Sequence, residues 1–216
     1  MSGYDPCLVE AEPLRYLLSL PSGRGAKEGL PVLCFLHGYD EAAPQNITTA
    51  LTRHGPLRKG GAKGASGGFI VIAPQLPFAG DIWYRFADDV RRIVDDVRVR
   101  YGGDPSRTYL TGFSFGGNGV FDLALVQYDL WAALWPVDPT RMPDSDPGRP
   151  VWLSFGEVSR RYKNGFIKVL GLKPADDRPE GPRLYLDQGE DHVGSAALAY
   201  RDERIYRWLL SQRLSV

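Results

Sequence analysis

Apolar residues fall into short, nearly continuous runs that alternate with stretches of helical spacing. Pro13 to Leu20 (PLRYLLSL) reads as a first strand ending at the turn Pro21-Ser22-Gly23. Leu30 to Leu36 (LPVLCFL) and Phe69 to Ala73 (FIVIA) have the unbroken apolar character of strands covered on both faces. Thr108 to Thr111, Trp131 to Val137 (WAALWPV), Val151 to Phe155 and Arg183 to Leu186 supply four more strands. Between them the period changes. Ile47 to Arg53 can form a short helix. Phe86, Val90, Ile93, Val94, Val97 and Tyr101 share one face of an amphipathic helix stopped by Gly102-Gly103. A helix-compatible NGVFDLALVQY follows, and Ile205, Trp208 and Leu209 mark a closing helix. Strands alternating with helices predict an α/β fold with a mostly parallel sheet of about seven strands and helices on both faces, in one domain spanning residues 1–216. The proline and aspartate loop from Asp138 to Pro150 is too short to hold a separate lid domain.

The densest chemical signal is GFSFGG, Gly112 to Gly117, set between the Thr108 strand and the NGVFDLALVQY helix. A serine with glycine two residues to either side, after a strand and before a helix, has the form of a nucleophile elbow: the turn is too tight for side chains at the glycines and holds Ser114 with its hydroxyl exposed. With 25 glycines in the chain the pentapeptide alone is weak, and the flanking strand and helix are what raise it. The other glycine-rich stretch, GGAKGASGG, leads into a strand and not into a helix through Gly-Lys-Ser/Thr, so it reads as a solvated loop and not as a phosphate cradle.

Composition narrows the partners. Lys plus Arg and Asp plus Glu number 26 each, which leaves no overall basic footprint for nucleic acid. No apolar run approaches the roughly 20 residues of a membrane span, and the N-terminus lacks a basic region followed by an apolar one, so the chain reads as soluble and cytoplasmic, without a membrane partner. Cys7 lies in a polar leader and Cys34 in an apolar strand, which reads as one surface thiol and one core residue. Two cysteines and three scattered histidines form no recognisable metal-ligand spacing.

A serine nucleophile needs a base. Of His37, His54 and His192, only His192 in QGEDHVG fits the order serine, acid, histidine. The oxyanion formed on attack needs two N–H donors, one normally from the residue after the nucleophile, here Phe115. The second is expected from the loop leaving the His37 strand, where Gly38 allows close backbone approach and Tyr39 presents its N–H.

LCFLHGYDE, FIVIAPQLP with Trp83 following, DPSRTYLTGFSFGGNGVFDLAL, QGEDHVG and IYRWLLSQ together resemble the esterase and predicted-peptidase branch of the α/β-hydrolases, with its feruloyl-esterase-like and carboxylesterase-like members, from about Leu30 to the end. The resemblance implies a serine hydrolase acting on a small-molecule carboxylic ester without cofactor or metal. Ser114 would be the nucleophile, His192 the base, and the Tyr39 and Phe115 amides the oxyanion hole. Asp104 and Arg107 would be structural. Tyr39, Phe78, Trp83 and Phe115 are expected to line the cleft, Trp83 as a substrate-binding residue.

One position departs from that pattern. In the resembled proteins the strand matching VWLSFG usually ends in glycine, two variable residues and the catalytic aspartate, and Ser159 stands at that position here. Glu157 is the nearest carboxylate and is the expected acid, with Asp138 at the end of the preceding strand next and a Ser-His dyad third. The missing aspartate also keeps open a weakened hydrolase acting as a binding protein, and an acyltransferase would use the same serine.

Overall fold

The computed structural model describes residues 6–12, 14–21, 29–59 and 67–214. Pro13, Ser22, Gly23 and residues 60–66 of the GGAKGASGG loop lie outside the described residues. Among the described residues nine strands form one sheet: β1 (Cys7–Val9), β2 (Tyr16–Ser19), β3 (Leu30–Leu36), β4 (Ile70–Pro74), β5 (Gly103–Phe113), β6 (Ala133–Val137), β7 (Val151–Phe155), β8 (Lys173–Pro174) and β9 (Arg183–Asp187). Their order across the sheet is β1-β2-β4-β3-β5-β6-β7-β9-β8. β1 and β2 pair antiparallel, as do β2 and β4, and every other neighbouring pair is parallel. The count exceeds seven because β1 and β8 are short edge strands without a buried apolar run. The polar leader is thus part of the sheet. Cys7 is exposed there with its Sγ on the Leu18 carbonyl, and Cys34 is buried in β3.

The pleat explains why the central strands read as unbroken apolar runs. Successive side chains on β3 point to opposite faces, with Val32, Cys34 and Leu36 in one core and Leu33 and Phe35 in the other. On the first face pack α2 (Ala87–Tyr101), α3 (Phe115–Val126) and α5 (Lys163–Leu170); on the second, α1 (Ile47–Leu51), α6 (His192–Ala199) and α7 (Glu203–Ser211). Val90, Ile93, Val94 and Val97 of α2 are buried as the helical spacing requires, each contributing roughly 1.5–3 kcal/mol of burial energy. Gly102, at φ 71°, ends that helix in the left-handed conformation. A short α4 (Glu157–Arg160) precedes α5. No helix among the described residues is long and apolar enough to cross a membrane.

Parallel strands bring their carboxyl ends to one edge of the sheet, and there the chain leaves β3 into His37–Glu41, β5 into Ser114, β6 into Asp138, β7 into Gly156–Ser159 and β9 into the segment before His192. The β6–β7 connection across this edge contains no helix or strand. Asp104 and Arg107 sit at the opposite end of β5, where Arg107 bonds Asp104 at 2.8 Å and also reaches the Gly29 carbonyl.

Candidate active site

The elbow forms because glycine is the only residue that fits its flanks. A Cβ on Gly116 would collide with the Leu36 carbonyl, and one on Gly112 with the Gly116 backbone. Ser114 takes φ 59° and ψ −119°, a conformation side chains rarely adopt, held by its N–H on the Val137 carbonyl at 3.0 Å and by the start of α3. Its Oγ stands 2.9 Å from His192 Nε2. His192 opens α6, whose first turn is capped by Asp191 accepting from Gly194 N–H at 2.6 Å, and its ring packs over Phe113 at 4.6 Å. The imidazole is partly open to the cleft, with 29% of its side chain exposed.

On its other side His192 meets Asp138, not Glu157. Nδ1 lies 2.6 Å from Asp138 Oδ2. The second carboxylate oxygen, Oδ1, accepts from Ser159 N–H at 2.7 Å, Ser159 Oγ–H at 2.6 Å and Gly156 N–H at 3.1 Å. Burial opposes the charge on this fully enclosed group, but the bonds from His192 and from the Ser159 hydroxyl and amide outweigh it and hold the carboxyl below its ordinary range. Glu157 is corrected to a surface residue: it is the exposed first residue of α4. Helical positions two apart point about 200° away from each other, so the turn that aims Ser159 at Asp138 aims Glu157 at solvent. Ser159, at the position where the resembled proteins carry an aspartate, donates to the Asp138 carboxylate instead.

The loop from His37 to Glu41, the expected source of the second amide donor, is fixed bond by bond. The His37 carbonyl accepts from Trp83 Nε1–H at 3.1 Å, the Gly38 N–H donates to Glu41 Oε2 at 2.7 Å, and the Gly38 carbonyl accepts from His37 Nδ1 at 2.6 Å. His37 Nε2 accepts from Leu76 N–H at 3.0 Å, which fixes the tautomer with the proton on Nδ1. Burial keeps this imidazole neutral, with its pKa pushed down to about 4. Across a planar trans peptide the N–H points opposite to the C=O. Securing the Gly38 carbonyl therefore aims the Tyr39 N–H the other way. Tyr39 begins the 3-10 turn Tyr39–Glu41 and Phe115 begins α3, so both amides belong to first turns, which leave N–H groups without intrahelical partners. At Phe115 the positive end of the α3 dipole adds to the attraction for an anion. The two side chains meet edge to face at 5.7 Å.

Trp83 is corrected from substrate contact to scaffold. It is completely buried, its indole lies against His37 at 5.0 Å, and a Cβ on Gly119 of α3 would press into it. A substrate cannot reach it. Tyr39 and Phe78 are more than half exposed at 55% and 52%, and Phe115 is half-buried. Beside Ser114 lies a cavity of about 100 Å³ whose wall includes Glu41, Arg53, His54, Phe113 and Val193. His54 faces this cavity, its ring 5.0 Å from Phe113; burial, with Arg53 and Arg58 nearby, pushes its pKa down to about 4. Among the described residues no cluster of His, Cys, Asp and Glu has the form of a metal site.

This arrangement is that of the α/β-hydrolase fold, and comparison with solved structures identifies it as such. No protein-family model and no curated protein matches the chain. A thermostable esterase superposes with a TM-score of 0.73 at 20% identity, over 97% of this chain and 63% of its own, so this chain spans less than two thirds of that enzyme. The Staphylococcus aureus fluorophosphonate-binding serine hydrolase FphF, solved with substrate bound, gives 0.67 at 16% identity over 95% of this chain and 97% of its own. The feruloyl esterase module from Clostridium thermocellum, complexed with sinapinate, gives 0.64 at 14% identity over 93% and 86%. The chain shares the α/β-hydrolase fold with these structures.

Proposed function

We propose that the protein is a serine hydrolase that cleaves a small-molecule carboxylic ester through an acyl-serine intermediate. The observation that carries this reading is the hydrogen-bonded relay from Ser114 Oγ through the His192 ring to Asp138, at 2.9 and 2.6 Å. As Ser114 Oγ bonds to the ester carbonyl carbon, its proton passes to His192 Nε2, and the carbonyl electron pair moves onto oxygen between the Tyr39 and Phe115 amides. Asp138 holds the Nδ1 proton and stabilises the imidazolium. Collapse breaks the ester C–O bond, the leaving alkoxide takes the proton from Nε2, and the acyl group stays on Ser114. Water activated by the same imidazole then repeats the sequence and releases the acid.

The test is labelling with a fluorophosphonate, which reacts with an activated serine whatever the natural substrate. A single adduct on Ser114, lost in Ser114→Ala, is expected from folded protein at neutral pH, together with turnover of p-nitrophenyl acetate. Folded protein that takes no label and turns over no ester would refute the reading.

A further inference from the structure

The wall of the cavity holds a second buried carboxyl group that the relay does not use. Glu41 closes the 3-10 turn and is 2% exposed. A methyl group placed on Gly38 would stand 3.3 Å from Ser114 Cβ and 3.4 Å from Glu41 Oε2, so the carboxyl and the nucleophile flank one small space. Oε2 accepts the Gly38 N–H, while Oε1 is enclosed with no hydrogen-bond partner among the described residues. A buried carboxylate with one donor and one orphaned oxygen is poorly compensated, and the neutral acid is the form such a site favours. Burial accordingly pushes the pKa up to about 7, against the Gly38 amide and Arg53, with Asp40 adding to the rise. The charged and titratable groups around it are Asp40 on the same turn, Arg53 after α1 and the Tyr200 hydroxyl after α6, with His54 and His192 across the cavity.

We propose that Glu41 is a positioning residue of the oxyanion loop that works as the neutral carboxylic acid, anchoring the Gly38 amide while neutral and opposing the oxyanion when ionised. Two effects compete on ionisation. The hydrogen bond from Gly38 becomes charge-assisted and stronger, but that gain is present in both ground and transition states. Repulsion of the oxyanion exists only once charge has developed there, so it alone raises the barrier. Turnover is therefore expected to lose an alkaline component that a neutral isostere retains. This rests on the serine-hydrolase reading.

The experiment measures kcat and KM for p-nitrophenyl acetate at about pH 6.5 and about pH 8.5 in the wild type, Glu41→Gln and Glu41→Ala. Glutamine keeps an acceptor for Gly38 and cannot ionise, so its ratio of alkaline to acid kcat should exceed the wild-type ratio by about fivefold or more. Alanine removes the anchor, and kcat should fall about tenfold at both pH values with KM little changed. Equal pH ratios in wild type and Glu41→Gln would overturn the role of Glu41 alone, as would an alanine variant altered only in KM. A wild type that neither turns over ester nor takes fluorophosphonate would overturn the hydrolase reading and this role with it.

Discussion

Replacing Asp138 with asparagine keeps the shape of the side chain and removes only its charge and one acceptor, so the consequence can be worked from the groups around it. An amide nitrogen at the Oδ1 position would face three donors, the Ser159 amide, the Ser159 hydroxyl and the Gly156 amide, all within 3.1 Å. At Oδ2 the close contact is His192 Nδ1 at 2.6 Å, a group that turns from donor to acceptor by changing tautomer, and the Val158 amide is distant at 3.4 Å. Leaving the Oδ1 donors unpaired costs about 1–3 kcal/mol each, so the asparagine oxygen stays there and its NH2 turns to the histidine. His192 then accepts on Nδ1 and carries its proton on Nε2, facing Ser114 Oγ as a donor. In that form it cannot take the hydroxyl proton. The expected loss in kcat is about 10⁴-fold, equivalent to about 5.4 kcal/mol of transition-state stabilisation. Asp138→Ala should lose less, because a histidine without that partner chooses its tautomer freely, and Glu157→Gln should stay within about twofold of wild type. Steady-state hydrolysis of p-nitrophenyl acetate at neutral pH, with near-UV circular dichroism to verify the fold, measures all three. An asparagine variant keeping more than about a tenth of wild-type kcat, or one more active than the alanine variant, would refute the reasoning.

Ser159→Ala should cost about 1.5–3 kcal/mol in urea unfolding, the range for a hydrogen bond to a charged group. Because the folded carboxyl of Asp138 is held below its ordinary value, this stabilisation is present at neutral pH and is lost as the pH falls through the folded pKa, so the gap between variant and wild type should close in acid, below the ordinary value of 3.8. Trp83→Phe keeps an aromatic ring in the core and removes the N–H that secures the His37 carbonyl; kcat should fall severalfold with KM unchanged, and a change in KM alone would restore Trp83 to the substrate side.

The central fold was legible because its signals are local. Strands buried on both faces must be apolar at every position, and α2 must be apolar on one side only, so both patterns survive in the sequence of Leu30 to Phe155. The remaining elements leave weaker patterns: β1 and β8 are three and two residues long at the sheet edges, α6 is a run of small residues started by its Asp191 cap, and α5 buries Phe166 and Leu170 from a stretch of only eight residues. Trp83 is ambiguous in the sequence for a different reason. A tryptophan between a strand and a helix near a cleft has the same local signature whether it lines the cleft or lies beneath it. What separates the two is Gly119, 36 residues later, which lets α3 approach closely enough to bury the indole.

Asp138 has no motif that singles it out in the sequence, yet its surroundings carry a physical signature. Asp138 directly follows the fully buried run Ala133–Val137, adopts φ 40° and precedes a proline, so its chain turns sharply with no route to water. A carboxylate in that place must be paired, and left-handed backbone is open to aspartate more readily than to most residues other than glycine. Glu157 stands under no such demand. It lies at a helix N-terminus, where a negative charge is favoured by the dipole and can remain solvated. Sequence distance from the expected position points to Glu157, whereas burial points to Asp138. Strand order supports burial, because β6 lies beside β5 in the sheet and brings Asp138 to the strand end adjoining Ser114, with the β7 end between it and the β9 end that carries His192. The Ser159 hydroxyl then has a reason to be where it is: from α4, just beyond the end of β7, it donates to the carboxylate oxygen that His192 does not use.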